Sequence, residues 1–281
     1  MKNHYVAGGG GTRLHVVETG NPKGHPILFI HGFSQCGLCW SRQLDSDLAQ
    51  DHRLVAMDMR GHGLSDKPHD AYGDSRLWAD DVKAVLDSLG LDQPVLTGWS
   101  YGPLVILDYI RHHGEQAIGG IHFVGGISKL GSEAALSVLT SEFLASVPGL
   151  MSADAEESAR TLEALLDLAF ASNRTPQEQY MMLGWNMSVP PHVRQALFAR
   201  SFDNDDLLPR IKKPVLITHN SAETVVKPSV VDEHLAAMPH AQVHWTKEAG
   251  HAPFWDDAAG FNKRLREFVA HTRSASVQAP V

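Results

Sequence analysis

Apolar and polar residues alternate around a run of glycines at the start of the chain: Tyr5-Val6, then Gly8 to Gly11, then Leu14-His15-Val16-Val17. A period of two broken by glycine predicts a β-hairpin. The pattern then changes. Residues 27–30 and 54–57 are continuous apolar runs without a polar face, as in strands buried on both sides. Helical spacing of apolar positions predicts a helix over 38–49 and another over 77–89, the latter through Leu77, Trp78, Val82, Val85, Leu86 and Leu89. A short run, Val95-Leu96-Thr97, leads into a helical pattern over 104–112, and 121–124 is a further buried strand. This alternation predicts an α/β fold: a mostly parallel twisted sheet with helices on both faces.

From about 128 to 210 the strands stop. Helical patterns occupy roughly 132–146, 154–172, 176–187 and 191–201, punctuated by Pro148-Gly149, Pro176 and Pro190-Pro191. The sheet pattern resumes at 214–218, followed by a helix near 228–237, a strand at 242–245 and a last helix over 258–270. The expected organisation is a core of 1–127 and 211–272, interrupted by an inserted all-helical cap at 128–210. Residues 273–281 are expected to form a frayed C-terminal tail.

Composition narrows the partners. A hydrophobic content of 43% with 20% charged residues describes a globular chain with a substantial core. The formal charge is −8 and the basic residues are scattered, which argues against a nucleic-acid or anionic membrane surface. The first residues lack the apolar core of a signal peptide, and no stretch reaches membrane-spanning length, so a cytoplasmic enzyme is the expectation. The pattern specifies no oligomeric state. The two cysteines, Cys36 and Cys39, could be read as a redox pair, but the spacing alone is weak. Buried thiols on one helix face are the plainer reading.

The candidate chemistry starts at Gly98-Trp99-Ser100-Tyr101-Gly102. A serine on a strand-to-helix turn takes a strained backbone that lifts its hydroxyl above the sheet edge, and side chains two residues before and after would collide. Such a serine needs a base, and the base needs a carboxylate to orient it. Of the 17 histidines, His251 follows the last strand, at the sheet edge where loops gather. By pattern, His112, His113, His234 and His240 fall on solvated helix or turn surfaces. Glu223 is the carboxylate of the loop after 214–218, and it completes the order Ser, acid, His. Two oxyanion donors are expected from the backbone amides of Phe33 and Tyr101. Asp58, His62 and Asp66 suggest a metal site, but their loop is rich in glycine and lacks a second ligand cluster. Bracing of the turn by an Asp–Arg pair is the expectation, with metal: none.

Taken together, His31-Gly32-Phe33, Asp58-x-Arg60-Gly61-His62-Gly63-x-Ser65-Asp66, Gly98-x-Ser100-x-Gly102 and Gly250-His251-Ala252-Pro253-Phe254 resemble the α/β-hydrolase superfamily. Within it, the chain is similar to capped serine esterase-like members, including cofactor-free haloperoxidases and perhydrolases. The family usually carries H-G-x-x-D-x-x-V in the acid loop, where this chain has His219-Asn220 through Glu223 to Val226. Pro103 replaces a frequent glycine, which a first helical turn tolerates. The resemblance implies acyl transfer from a small apolar ester or lactone to water, with no cofactor. Perhydrolysis, carbon–carbon bond hydrolysis, or ligand binding with little turnover are the alternatives on the same fold. Trp99, Met182 and Trp185 are the expected substrate contacts, the last two from a concentration of methionine and aromatic residues over 179–187.

Overall fold

The glycine-centred alternation folds into a hairpin of β1 (Lys2–Ala7) and β2 (Arg13–Gly20), with Tyr5 opposite His15 and Gly10 and Gly11 at positive φ in the turn. The computed structural model describes residues 1–247 and 250–278. Its further strands are β3 (His25–Ile30), β4 (His52–Met57), β5 (Val95–Trp99), β6 (Gly120–Val124), β7 (Val215–Asn220) and β8 (Gln242–Thr246). They form one sheet in the order β1-β2-β4-β3-β5-β6-β7-β8. The hairpin is antiparallel and β2 lies antiparallel on β4, while every other neighbour is parallel. Strands β3, β5, β6 and β7 are buried along nearly their whole length, as their unbroken apolar runs require.

Helices α1 (Ser41–Leu44), α2 (Leu48–Asp51), α3 (Ser75–Leu89) and α4 (Gly102–His113) accompany the first half of the sheet. Between β6 and β7 lie α5 (Glu133–Ser137), α6 (Ser141–Leu150), α7 (Ala155–Ala169), α8 (Pro176–Met187) and α9 (Pro191–Phe198), in the span expected to form the inserted cap. Then come α10 (Ser229–Ala237), α11 (Pro253–Asp256) and α12 (Ala258–Gln278). Side-chain caps start the cap helices where the sequence offers them. Asp154 accepts from Glu157 N on α7, and Thr175 and Glu178 form a reciprocal capping box on α8, with Pro176 in its first turn.

Several expectations are corrected. The helix expected over 38–49 is broken, because Ser46 Oγ donates to Gln43 O (2.7 Å) and accepts from Leu48 N (3.2 Å), diverting the backbone between α1 and α2. The helix expected over 132–146 divides into α5 and α6, since Leu139 pairs with Val226 as an isolated bridge and Thr140 caps α6. The final helix continues to Gln278 instead of fraying after Thr272. Thr272 is buried and its hydroxyl donates to Val269 O. Of the expected tail, 279–281 lie outside the described residues.

In the loop after β4, Arg60 braces the turn, but its partner is Asp81 and not Asp58: Nε and Nη2 reach the two carboxylate oxygens at 2.7 and 2.8 Å. Asp58 instead accepts from Gly37 N, Leu64 N and His15 Nδ1. His234 is buried against Phe123 and not solvated, because the inner face of α10 packs onto β6. Cys36 and Cys39 are free and buried, and burial pushes both thiols up in pKa. At the centre, Trp40 packs between Phe29 and Phe254, with ring centroids 4.9 and 4.2 Å away, and Phe254 meets Trp99 edge-on at 4.9 Å. This aromatic stack joins the segment after His251 to the strand that leads into Ser100.

Candidate active site

Ser100 stands between β5 and α4 with φ +58°, a left-handed backbone that a non-glycine residue adopts at a cost of about 1–3 kcal/mol. The surroundings hold it there. Its N–H donates to Val124 O at 2.9 Å. A Cβ on Gly98 would stand 2.7 Å from the Gly102 carbonyl carbon, and one on Gly102 would stand 2.6 Å from Ile30 O, so the flanking glycines are steric requirements of the turn. Helix α4 begins at Gly102, with Pro103 in its first turn.

His251 lies in the segment between β8 and α11, buried, with Nδ1 3.0 Å from Glu223 Oε2. Its peptide N–H donates to Ala169 O (2.8 Å), and its carbonyl accepts from Trp99 Nε1 (2.9 Å). Glu223 Oε1 accepts from its neighbours Thr224 N (2.8 Å) and Val225 N (2.9 Å). Burial alone would raise the Glu223 pKa, but the charge and hydrogen bond of His251, the His219 ring and the Val225 amide together hold it below the ordinary carboxylate value. An ionised carboxylate accepts only, so the shared hydrogen bond is donated by Nδ1–H. Nε2 is buried and has no hydrogen-bond partner among the described residues. No hydrogen bond joins Ser100 Oγ to Nε2 in this structure, although both residues line the same cavity. Such bonds are often open before substrate arrives.

The loop after β3 runs against Ser100. Gly32 is required there, since a Cβ would come within 3.0 Å of Ser100 Cβ. His31 ties the loop down: Nδ1–H donates to Gly32 O (2.8 Å) and Nε2 accepts from Met59 N (3.0 Å). Burial lowers the His31 pKa to about 4, so the ring is neutral in this role. The backbone amides of Phe33 and Tyr101 make no hydrogen bond among the described residues, and both residues face the cavity beside Ser100.

Two adjoining cavities share Phe33, Ser100, Phe143 and Val225. The first continues along Tyr101, Ile127, Leu130, Leu139, Phe198 and Val226. The second continues along Gln35, Trp99, Leu165, Leu166, Ala169 and His251. Trp99 thus lines the second cavity. Met182 and Trp185 do not line either cavity: Met182 is fully buried and Trp185 packs half-buried on the core, because the apolar face of α8 turns toward α7.

A family model for the alpha/beta hydrolase fold matches residues 25–258. The chain belongs to the alpha/beta hydrolase family. Among solved structures, the esterase RhEst1 from Rhodococcus sp. ECU1013 superposes with a TM-score of 0.89 at 36% identity, covering 96% of this chain and 99% of that one. Among curated relatives, the AB hydrolase superfamily protein YisY of Bacillus subtilis is 24% identical over 94% of this chain and 98% of its own length. The 2-hydroxymuconate semialdehyde hydrolase of Pseudomonas sp. (strain CF600) is 26% identical over 97% of this chain and 95% of its own.

Motif reading of this hydrolase missed the residues that shape the cavities. Phe143, Leu165, Leu166 and Phe198 belong to ordinary amphipathic cap helices, whose spacing does not say which apolar positions face a cleft. It also missed the joints between hydrolase core and cap. Thr224 Oγ1 donates to Leu168 O (2.7 Å), Thr140 Oγ1 donates to Thr224 O (2.7 Å), and Thr140 N donates to Val225 O (3.0 Å). The acid loop of this alpha/beta hydrolase is thus bonded on both sides to the cap. Among the described residues, no helix is long and apolar enough to cross a membrane.

Proposed function

We propose that the chain is a serine hydrolase that cleaves a carboxylic ester or lactone through an acyl-serine intermediate. One observation carries this reading: a strained Ser100 opens into the same cavity as an imidazole whose Nδ1 is tied to an ionised Glu223 and whose Nε2 has no partner among the described residues. The similarity to an esterase at 36% identity supports it. In this reading, Ser100 Oγ attacks the ester carbonyl carbon while Nε2 takes its proton. The carbonyl electrons move onto an oxyanion held by the Phe33 and Tyr101 amides. Collapse breaks the bond to the alkoxide, which leaves with the proton from Nε2. Water then repeats the sequence on the acyl-serine and releases the acid.

Among the described residues, neither cavity presents a lysine or arginine side chain, which favours an uncharged substrate over a carboxylate-bearing one and so an ester over a charged carbon–carbon substrate. The test is hydrolysis of p-nitrophenyl acetate and butyrate by the wild type and by Ser100→Ala. The expected outcome is turnover that Ser100→Ala abolishes. Turnover surviving in Ser100→Ala removes the mechanism, and labelling by a fluorophosphonate without turnover replaces it with a binding role.

A further inference from the structure

Of the two cavities at Ser100, only the second is lined by His251. In the proposed mechanism, on which this assignment of the two cavities rests, the imidazole returns its proton to the departing oxygen. The second cavity therefore holds the leaving alcohol and the first holds the acyl chain. The acyl side is apolar apart from Ser100 and Tyr101, whose hydroxyl is already engaged by Arg200 and Leu197 O.

The alcohol side differs by one group. Gln35 lines it at 4% exposure, and its Oε1 is buried without any hydrogen-bond partner among the described residues. Other polar side chains of the same loop are satisfied: His31 through both ring nitrogens and Ser34 through Asn186 O. A buried amide oxygen left unpaired is destabilising, and a cavity wall is where a ligand can supply the missing donor.

We infer that Gln35 is a specificity-determining residue that hydrogen-bonds a polar substituent on the leaving alcohol, so that the favoured substrates are hydroxyl-bearing esters, such as monoesters of short diols or polyols, with an apolar acyl chain. A carboxamide suits a hydroxyl in either orientation, since one end accepts and the other donates.

The experiment compares kcat/KM for 2-hydroxyethyl, 3-hydroxypropyl and 4-hydroxybutyl butyrate with the isosteric propyl, butyl and pentyl esters. Each rate is normalised to alkaline hydrolysis of the same ester. In the wild type, the hydroxyl ester is expected to lead its isostere by roughly three- to tenfold at one chain length or more. Gln35→Leu is expected to remove that lead by slowing the hydroxyl esters more than the alkyl esters. Gln35→Met, closer in shape, serves if Gln35→Leu does not fold. A purely structural role would slow both series alike. A ratio that is the same in wild type and variant at every length overturns the inference while leaving the esterase reading intact. Failure of the wild type to hydrolyse any of the six esters overturns both.

Discussion

The Asp256 carboxylate accepts the Gly250 N–H at 2.8 Å, one residue before His251, and with the same two oxygens accepts the amides of Ala171 (3.0 Å) and Ser172 (2.9 Å) just beyond α7. One side chain thus ties the backbone beside the imidazole to the cap that roofs it. Asp256→Ala leaves three amides without this acceptor, with an expected stability loss of about 1–3 kcal/mol. It should also lower kcat, because the His251 segment and the cap would no longer be held together. Thermal unfolding and steady-state kinetics check both. Unchanged kcat in a folded Asp256→Ala would show that the tie is structural only.

Glu223→Gln keeps the shape but removes the charge that fixes the imidazole tautomer. The expected outcome is a fall in kcat of roughly two to four orders of magnitude with little change in KM. The same variant reports on stability. The Glu223 pKa is depressed in the native state, so below its ordinary value of 4.5 the unfolded chain binds the proton more readily. The charge's contribution is therefore present above about pH 4.5 and lost as pH falls below it. The Tm gap between wild type and Glu223→Gln should narrow on going from pH 5.5 to pH 3.5.

Gly32→Ala places a methyl group 3.0 Å from Ser100 Cβ, at the joint between the oxyanion loop and the serine. Both backbones there are fixed, by His31 on one side and by Val124 on the other, so the loop must shift away from the serine. A misplaced donor should cost about a hundredfold or more in kcat. Circular dichroism should remain that of the wild type. Full activity in Gly32→Ala would show that Phe33 N–H is not a donor to the oxyanion.

Acid should unfold the protein through its buried histidines. Burial lowers the pKa of His31 and His234 to about 4 and that of His62 and His122 to about 3, from an ordinary 6.5. The unfolded chain takes up protons below pH 6.5 that the native rings refuse, so stability is full above 6.5 and falls toward pH 4. Each ring contributes up to about 1.4 kcal/mol per pH unit. Urea midpoints at pH 7 and pH 5 measure the slope. Both His234 nitrogens lack partners among the described residues, so His234→Leu is expected to be at least as stable as wild type at pH 7 and to show a shallower slope.

The sequence carried the order of strands and helices and the positions of Ser100, Glu223 and His251 because each depends on local patterning: an apolar run, a glycine pair, a loop after a strand. It carried less wherever a long-range partner decides. The division at Thr140 arises from bonds to a loop more than 80 residues away in sequence. The partner of Arg60 is set by where α3 docks, which no spacing states. Met182 and Trp185 illustrate the same limit, since an apolar helix face can turn to a neighbour or to a cleft with one and the same pattern. Gln35 had no sequence signal at all, and only its Oε1, without a partner among the described residues, marks it.

The most direct test of the proposed chemistry is site mapping by mass spectrometry after exposure to a fluorophosphonate. The expected result is one adduct, on Ser100, absent in Ser100→Ala and formed far more slowly in His251→Ala. An adduct on another residue, or labelling that persists in Ser100→Ala, would contradict it.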